Sequence, residues 1–314
     1  MNPNHTPSQL LAARITKKAS KQTYYTIRFF VDRELVPDAY RVYGYFRWVD
    51  DVLDAPSGSL SEKMTFIDCQ KSILETCYQG QNPQDVGIQE QMLVDLIQND
   101  SEANSGLQVY LRSMMGVMNF DTRRRGSFIS QVELMEYTRL LAKAVTEALH
   151  FFIGQKTPAV PQDGRYLAVT AAHIIHMLRD TREDIQVGYF NIPMEIVQRN
   201  DFPIQDVENQ ATRNWVRSRV ELARQYFDAG RKVLGKDRCL RRRVAGFAYM
   251  ARFEWLIQTF QKDDYCLRYE YPERKSLQAG LWMGWRLLES LLAFPWIKVG
   301  SNSPEIQSLR MNRQ

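Results

Sequence analysis

The stretch YGYFRWVDDVLD, residues 43–54, places three carboxylates and one arginine in an aromatic, apolar sequence. In a helix, Asp50 and Asp54 are four residues apart and share one face, with Asp51 about 100° to the side. Carboxylates on an otherwise apolar helix are unfavourable unless a positive group compensates them. The stretch therefore predicts an acidic helix face that requires a cationic partner.

A second acidic cluster lies in HMLRDTREDIQVGYFNIP, residues 176–193, where Asp180 and Asp184 are again four residues apart and Glu183 lies between them. Either cluster alone is more typical of a solvated helix face, but the flanks of both are apolar. A hard cation such as Mg²⁺ takes oxygen ligands and is often bound by one or two carboxylates together with substrate phosphates. Two such clusters therefore favour a site where Mg²⁺ ions hold a diphosphate.

An arginine stands close before each acidic cluster. Arg47 is three residues before Asp50, and Arg179 directly precedes Asp180. A guanidinium group can pair with a carboxylate or bind a phosphate through two parallel hydrogen bonds. Both roles are open for these two arginines.

The chain as a whole predicts one all-helical domain. Apolar residues recur at helical spacing, as in residues 134–149, whereas alternating, strand-like runs are scarce. Turns containing Gly or Pro separate about eight to eleven helices, and no long linker or fixed repeat divides the chain. We expect a frayed N-terminus over residues 1–15, a domain over residues 16–299 and a polar tail over residues 300–314.

Composition and charge limit the classes of partner. The chain is 44% hydrophobic and 25% charged, as is typical of soluble globular proteins, and its net charge of +5 is too small to indicate nucleic-acid binding. We interpret the arginine triplets at residues 123–125 and 241–243 as solvated helix ends. We therefore expect no nucleic-acid partner. Cysteines without CxxC spacing and an N-terminus unlike a signal peptide predict a cytoplasmic protein.

The most apolar segment, residues 281–299, is interrupted by Arg286, Glu289 and Pro295, so it does not suit a bilayer-spanning helix. It predicts an amphipathic terminal helix packed on the core. Peripheral contact with a membrane surface stays an open alternative, because amphipathic helices with tryptophan suit that position. The tryptophans are Trp282, Trp285 and Trp296.

These motifs resemble those of the squalene/phytoene synthases, the trans-isoprenyl diphosphate synthases that join two prenyl chains head to head. Residues 43–54 are similar to the family's Tyr-Ala-Phe-Cys-Arg-x-Val-Asp-Asp-x-x-Asp helix, and residues 178–193 to its Leu-Arg-Asp-x-x-Glu-Asp-x-x-x-Gly-x-x-Tyr-Leu-Pro motif. Tyr137 takes the place of a helix tyrosine, and residues 253–265 resemble the C-terminal helix. The resemblance covers roughly residues 20–275.

The resemblance implies an all-α isoprenoid synthase fold, with the acidic helices facing each other at the mouth of a deep apolar cavity. It implies Mg²⁺ as cofactor, with Mn²⁺ as a substitute, and farnesyl or geranylgeranyl diphosphate as substrate. Use of NADPH is left open. The implied metal ligands are Asp50, Asp51, Asp54, Asp180, Glu183 and Asp184. The implied diphosphate contacts are Arg47 and Arg179, and His173, which departs from the family's pattern, is a further candidate contact. The implied catalytic residues are Tyr43, Arg47, Tyr137 and Arg179, and His176, which also departs from that pattern, is a further candidate.

The sequence departs from the family's pattern at four places. His173 and His176 replace a glutamine and an asparagine, and imidazole suits Mg²⁺ less well than an amide oxygen. A protonated histidine could instead contact a diphosphate, and a neutral one could accept a proton, while a packed core histidine is the alternative. The other departures are Lys143 and Thr146 for small residues, Gln186, Val187 and Tyr189 for basic ones, and Phe253 for a tyrosine.

From these features we predict a Mg²⁺-dependent prenyltransferase that condenses two prenyl diphosphates head to head through a cyclopropyl intermediate. A terpene cyclase acting on one prenyl diphosphate at the same metal site is an alternative that the departures would fit. A second alternative is a catalytically silent relative that acts as an assembly or binding protein. Retention of four spaced aspartates and two arginines argues against that last interpretation.

Overall fold

A computed structural model describes residues 6–158 and 163–294. In this part of the chain there are twelve α-helices, three short 3₁₀ helices and no strand, which confirms the all-α prediction. The α-helices are α1 (Pro7–Ala19), α2 (Lys21–Phe30), α3 (Val36–Asp54), α4 (Leu60–Tyr78), α5 (Ile88–Gln98), α6 (Gly106–Arg124), α7 (Gln131–Phe152), α8 (Leu167–Gln186), α9 (Met194–Asn200), α10 (Gln210–Gly235), α11 (Leu240–Lys262) and α12 (Leu277–Ala293).

The N-terminal region differs from the prediction of frayed residues 1–15, because α1 already begins at residue 7. The Thr6 side chain caps its first turn, and Ala12 and Thr16 are completely buried. Gly44 on α3 permits this packing, since a Cβ atom there would lie 3.1 Å from the Cα of Ala12. The close approach of two helices therefore orders a segment whose own sequence is polar.

Two hydrophobic clusters form the core. The first contains Tyr45 and Val49 of α3 together with residues of α4 and α5. The second contains Ile175 of α8 and Phe247 of α11 together with residues of α10. Each fully buried side chain of this size contributes about 1.5–3 kcal/mol to stability. The two acidic helices, α3 and α8, are thus held by different parts of the core.

The C-terminal ends of α6 and α8 are joined directly. The Gly126 amide donates a hydrogen bond of 2.8 Å to the carbonyl of Gly188, which follows α8 with a φ of +91° that favours glycine. Phe128 and Phe190 form an isolated bridge between the two loops, with ring centroids 5.3 Å apart. This junction brings the last turn of α6 beside the last turn of α8.

The arginine triplet at residues 241–243 is not a solvated helix end. Arg242 is only 4% exposed and its guanidinium pairs with Asp237 at 2.8 Å. Arg243 is also buried, whereas the side chain of Arg241 is half exposed. Arg242 also donates hydrogen bonds to four backbone carbonyls, those of Ile153, Gly154, Thr157 and Pro158. The prediction was wrong here because these four carbonyls belong to a loop that is distant in the sequence.

α12 packs one face on α11, where Trp282 meets Trp255 with ring centroids 5.6 Å apart. Its opposite face exposes a stripe of large apolar side chains: Leu277, Leu281, Trp285, Leu288 and Leu292. No helix within residues 6–158 and 163–294 combines the length and apolarity needed to cross a membrane. Such a stripe suits a helix lying on a membrane surface, and that contact stays a prediction. Residues 295–299 of the predicted helix and the predicted tail lie outside the described residues.

Candidate active site

A cavity of about 500 Å³ opens between α3, α6, α7 and α8. α3 contributes Asp50 and Asp54, and α8 contributes Asp180 and Asp184. A four-residue spacing places each pair on one helix face, which explains why both members of each pair reach the same space. The structure thus brings together four of the six predicted metal-ligating carboxylates.

These carboxylates perturb one another. Burial and the nearby charge of Asp54 raise the pKa of Asp50 to about 6. Burial and the charge of Asp180 raise the pKa of Asp184 to about 7. Burial alone would also raise the pKa of Asp180, but hydrogen bonds from His176 and Arg179 hold it below its usual value. Ionised carboxylates crowded in this way favour the entry of a cation.

The carboxylates that line the cavity fit Mg²⁺ if a bound diphosphate supplies some of its oxygen ligands. Within the described residues, no three histidine, cysteine, aspartate or glutamate side chains are grouped closely enough to hold a metal by themselves. The cavity does offer carboxylate oxygens, the ligands that Mg²⁺ prefers, and protein sites commonly complete its coordination with water and substrate phosphates. The residues therefore fit Mg²⁺ bound jointly with a diphosphate.

Neither predicted diphosphate-binding arginine lines the cavity. Arg47, whose side chain is 44% exposed, pairs with Asp51 and lies 3.4 Å from Asp50. Arg179 donates two hydrogen bonds of 2.5 Å to the two carboxylate oxygens of Asp180. Both guanidinium groups are engaged by carboxylates of their own helix. Of the two roles that the sequence leaves open, the structure shows carboxylate pairing.

Three more predicted site residues lie away from the cavity lining. Asp51 and Glu183 are exposed on the outer sides of α3 and α8. Tyr43 is partly buried and packs against the first core cluster. Their separation from the cavity argues against roles as metal ligands or as part of the reacting wall.

Tyr137 and His173 do line the cavity, with ring centroids 5.2 Å apart. The Tyr137 hydroxyl donates a 2.9 Å hydrogen bond to Asp121, and burial raises the pKa of this phenol well above its usual value. His173 is only 5% exposed, and burial lowers its pKa to about 3. A neutral His173 does not suit the predicted role of a protonated diphosphate contact.

Burial of a neutral His173 predicts a steeper loss of stability in acid. The unfolded imidazole takes up a proton near its usual pKa of 6.5, whereas the folded one resists protonation down to about 3. The contribution of the buried neutral imidazole to the free energy of unfolding is therefore fully present above pH 6.5, and it is lost as the pH falls below that value. Between pH 7 and pH 5 the free energy of unfolding should fall by about 2 kcal/mol more in the wild type than in His173→Leu. Urea unfolding at both pH values measures this, and equal losses in the two proteins would contradict it.

Sequence reasoning missed the contribution of α6. Arg124, whose side chain is only 11% exposed, donates from Nε to Asp121 at 2.7 Å and from Nη1 to Asn191 at 2.8 Å. The Asn191 amide in turn donates to Asp184 at 2.6 Å. The interpretation of the triplet at residues 123–125 as a solvated helix end is therefore wrong for Arg124. An opposite charge three residues before it, at Asp121, is the signal that could have indicated a buried pair.

The residues that depart from the family's pattern have different surroundings. His176 lies 3.0 Å from Asp180, and its ring centroid is 6.2 Å from that of the buried Phe253. Thr146 lines a second, much smaller cavity of about 60 Å³ between α7, α8, α10 and α11. Lys143 is partly buried and lines neither of these cavities. His176 is thus the departure that acts directly on a cavity carboxylate.

Comparison with known proteins gives two findings. A family model described as squalene/phytoene synthase matches residues 16–277. Among 37 matching chains of solved structures is the crystal structure of squalene synthase HpnC from Alicyclobacillus acidocaldarius. That match has a TM-score of 0.66 and 19% sequence identity, and it covers 83% of this chain and 95% of the other. At this identity the likeness shows the fold alone. No curated protein sequence gives a significant match.

Proposed function

Because this chain belongs to the squalene/phytoene synthase family, we propose that it is a Mg²⁺-dependent prenyltransferase that condenses two prenyl diphosphates head to head. One observation carries the proposal: carboxylate pairs from two helices, Asp50 with Asp54 and Asp180 with Asp184, line one cavity. The mutual repulsion of these carboxylates favours the binding of a cation. Because the protein side chains do not complete the coordination of that cation, a polyanion such as a diphosphate is favoured as a further ligand.

The chain's own residues would bind and orient the diphosphate. Mg²⁺, when bound, supplies Lewis-acid stabilisation of a departing diphosphate. Asp50 and Asp54 would hold the cations from α3, and Asp180 and Asp184 from α8. Arg179 and His176 hold the Asp180 carboxylate in a fixed orientation through hydrogen bonds. Such preorganisation lowers the reorganisation needed when charge develops on the leaving group.

Loss of diphosphate leaves an allylic cation, which an aromatic face can stabilise. Tyr137 and Tyr189 both line the cavity, and Tyr137 is stacked on Phe120 with centroids 5.2 Å apart. The hydrogen bond from Tyr137 to Asp121 fixes the direction of the ring. Apolar side chains, among them Met118 and Met177, line part of the wall. This suits a reaction from which water must be excluded.

Product analysis tests the proposed reaction. The protein is incubated with MgCl₂ and farnesyl or geranylgeranyl diphosphate, with and without NADPH, and the products are identified by mass spectrometry. A cyclopropyl diphosphate or a hydrocarbon with twice the carbon count is the expected result. A cyclic product with the carbon count of one chain would show the terpene cyclase alternative instead. A product seen only with NADPH would establish the reductive step.

One observation favours the catalytically silent alternative. Arg47 and Arg179 already compensate carboxylates at the edge of the site, and His176 adds a second partner to Asp180. A protein that keeps these acidic helices for assembly or binding would need no metal. Unchanged substrate in the incubation, together with no Mg²⁺-dependent binding of inorganic pyrophosphate, would establish that alternative.

A further inference from the structure

The guanidinium of Arg124 is fixed in the cavity wall on three sides. One edge bonds to Asp121 and another to Asn191, at 2.7 Å and 2.8 Å. Its carbon atom Cζ lies 5.0 Å from the ring centroid of Tyr137 and 5.0 Å from that of Tyr189. A side chain held in this way has already lost the rotamer freedom that binding would otherwise cost.

Arg124 keeps donors for a ligand. A guanidinium carries five N–H donors, and the two hydrogen bonds just described use Nε and one proton of Nη1. Within the described residues Nη2 has no hydrogen-bond acceptor, and the side chain lines the 500 Å³ cavity. The planar fork of arginine matches the geometry of phosphate oxygens. The free edge therefore suits a phosphoryl group in the cavity.

The position of Arg124 also suits a ligand shared with the acidic helices. Asn191 connects it to Asp184, since the amide accepts from Arg124 and donates to that carboxylate. A diphosphate that binds cations held by Asp184 would thus lie within the same corner of the cavity. By contrast, Arg47 and Arg179 lie outside the cavity lining, where their carboxylate partners engage them.

We propose that Arg124 anchors the diphosphate of the substrate. This inference rests on the proposed function and adds to it an anion-binding residue from α6. The neutral frame of Tyr137, Tyr189 and Asn191 holds the guanidinium, and the ion pair with Asp121 keeps it oriented toward the cavity. Arg125, which also lines the cavity, adds positive charge at the mouth.

Binding of inorganic pyrophosphate in saturating MgCl₂, measured by isothermal titration calorimetry, tests the anchor without requiring turnover. Arg124→Gln should bind roughly 10- to 100-fold more weakly than the wild type, because charge-assisted hydrogen bonds are lost. Arg124→Lys should recover part of the affinity, since it restores the charge without the fork. Arg123→Gln is the matched control, because Arg123 is the exposed neighbour on the same helix, and its affinity should change less than twofold.

A folding control separates anchoring from loss of structure. Arg124→Gln leaves the Asp121 carboxylate without its partner, so the double variant Asp121→Asn/Arg124→Gln removes both charges and retains side chains that can hydrogen-bond. The single variant Arg124→Gln and the double variant should bind pyrophosphate equally weakly. The double variant should unfold at the same temperature as the wild type. Wild-type affinity in either variant would overturn the anchor and leave the proposed function intact. A wild-type protein that fails to bind pyrophosphate with Mg²⁺ would overturn both.

Discussion

Replacing Asp50 or Asp180 with alanine is expected to lower the turnover of farnesyl or geranylgeranyl diphosphate roughly 10²- to 10³-fold. Each change removes one carboxylate from the cavity wall, to which α3 contributes Asp50 and Asp54 and α8 contributes Asp180 and Asp184. The remaining carboxylates would hold a cation less firmly and in a less defined position. Steady-state kinetics at saturating MgCl₂ measures the effect, and an increased requirement for Mg²⁺ should accompany it.

Matched controls come from the same helices. Asp51→Ala and Glu183→Ala remove exposed carboxylates next to the cavity residues, and neither side chain lines the cavity. Turnover in these variants should stay within about threefold of the wild type. If Asp50→Ala and Asp180→Ala left turnover intact, the metal assignment would be wrong. If Glu183→Ala lowered turnover as much as Asp50→Ala and Asp180→Ala are expected to, the position of a carboxylate in the cavity wall would not be what identifies it as a metal ligand.

Asp50→Ala should not act by unfolding the protein. Burial and the charge of Asp54 raise the pKa of Asp50, so its ionised form opposes folding in the absence of a cation. The free energy of unfolding of the metal-free variant should therefore equal or exceed that of the wild type at pH 8. Thermal unfolding with and without MgCl₂ checks this, and a large drop in the metal-free melting temperature would point to a structural role.

Arg242→Ala is expected to have the largest effect on stability, a loss of about 3–5 kcal/mol. The Arg242 guanidinium is buried, pairs with Asp237 and donates to four backbone carbonyls that follow α7. Truncation would leave the buried Asp237 carboxylate without its cationic partner and the carbonyls without these donors. Urea unfolding of the purified variant measures the change, and reduced soluble expression should accompany it.

The neighbouring arginine provides the control for Arg242. Arg241 pairs with Asp32, but its side chain is 49% exposed and Asp32 keeps hydrogen bonds from the Gly154 and Gln155 amides. Arg241→Ala should cost about 1 kcal/mol or less. Similar small losses for both variants would show that burial of Arg242 is not what holds this junction together.

The sequence was a good guide wherever the deciding interactions are local. The four-residue spacing of Asp50 with Asp54, and of Asp180 with Asp184, places each pair on one helix face whatever surrounds it. Apolar residues at helical spacing likewise identify helices without knowledge of their partners. The all-α architecture and the two acidic helices therefore follow from the order of residues along the chain.

The tertiary structure decided which charged groups share a cavity and which are merely paired. Arg124 and Arg242 resemble solvated arginines in the sequence, because each also donates to an acceptor far along the chain, Asn191 at 67 residues and Ile153 at 89 residues. Arg47 and Arg179 resemble ligand contacts, yet carboxylates of their own helices engage them. A charge is stabilised by groups that surround it in space, and helix packing alone brings such distant groups together.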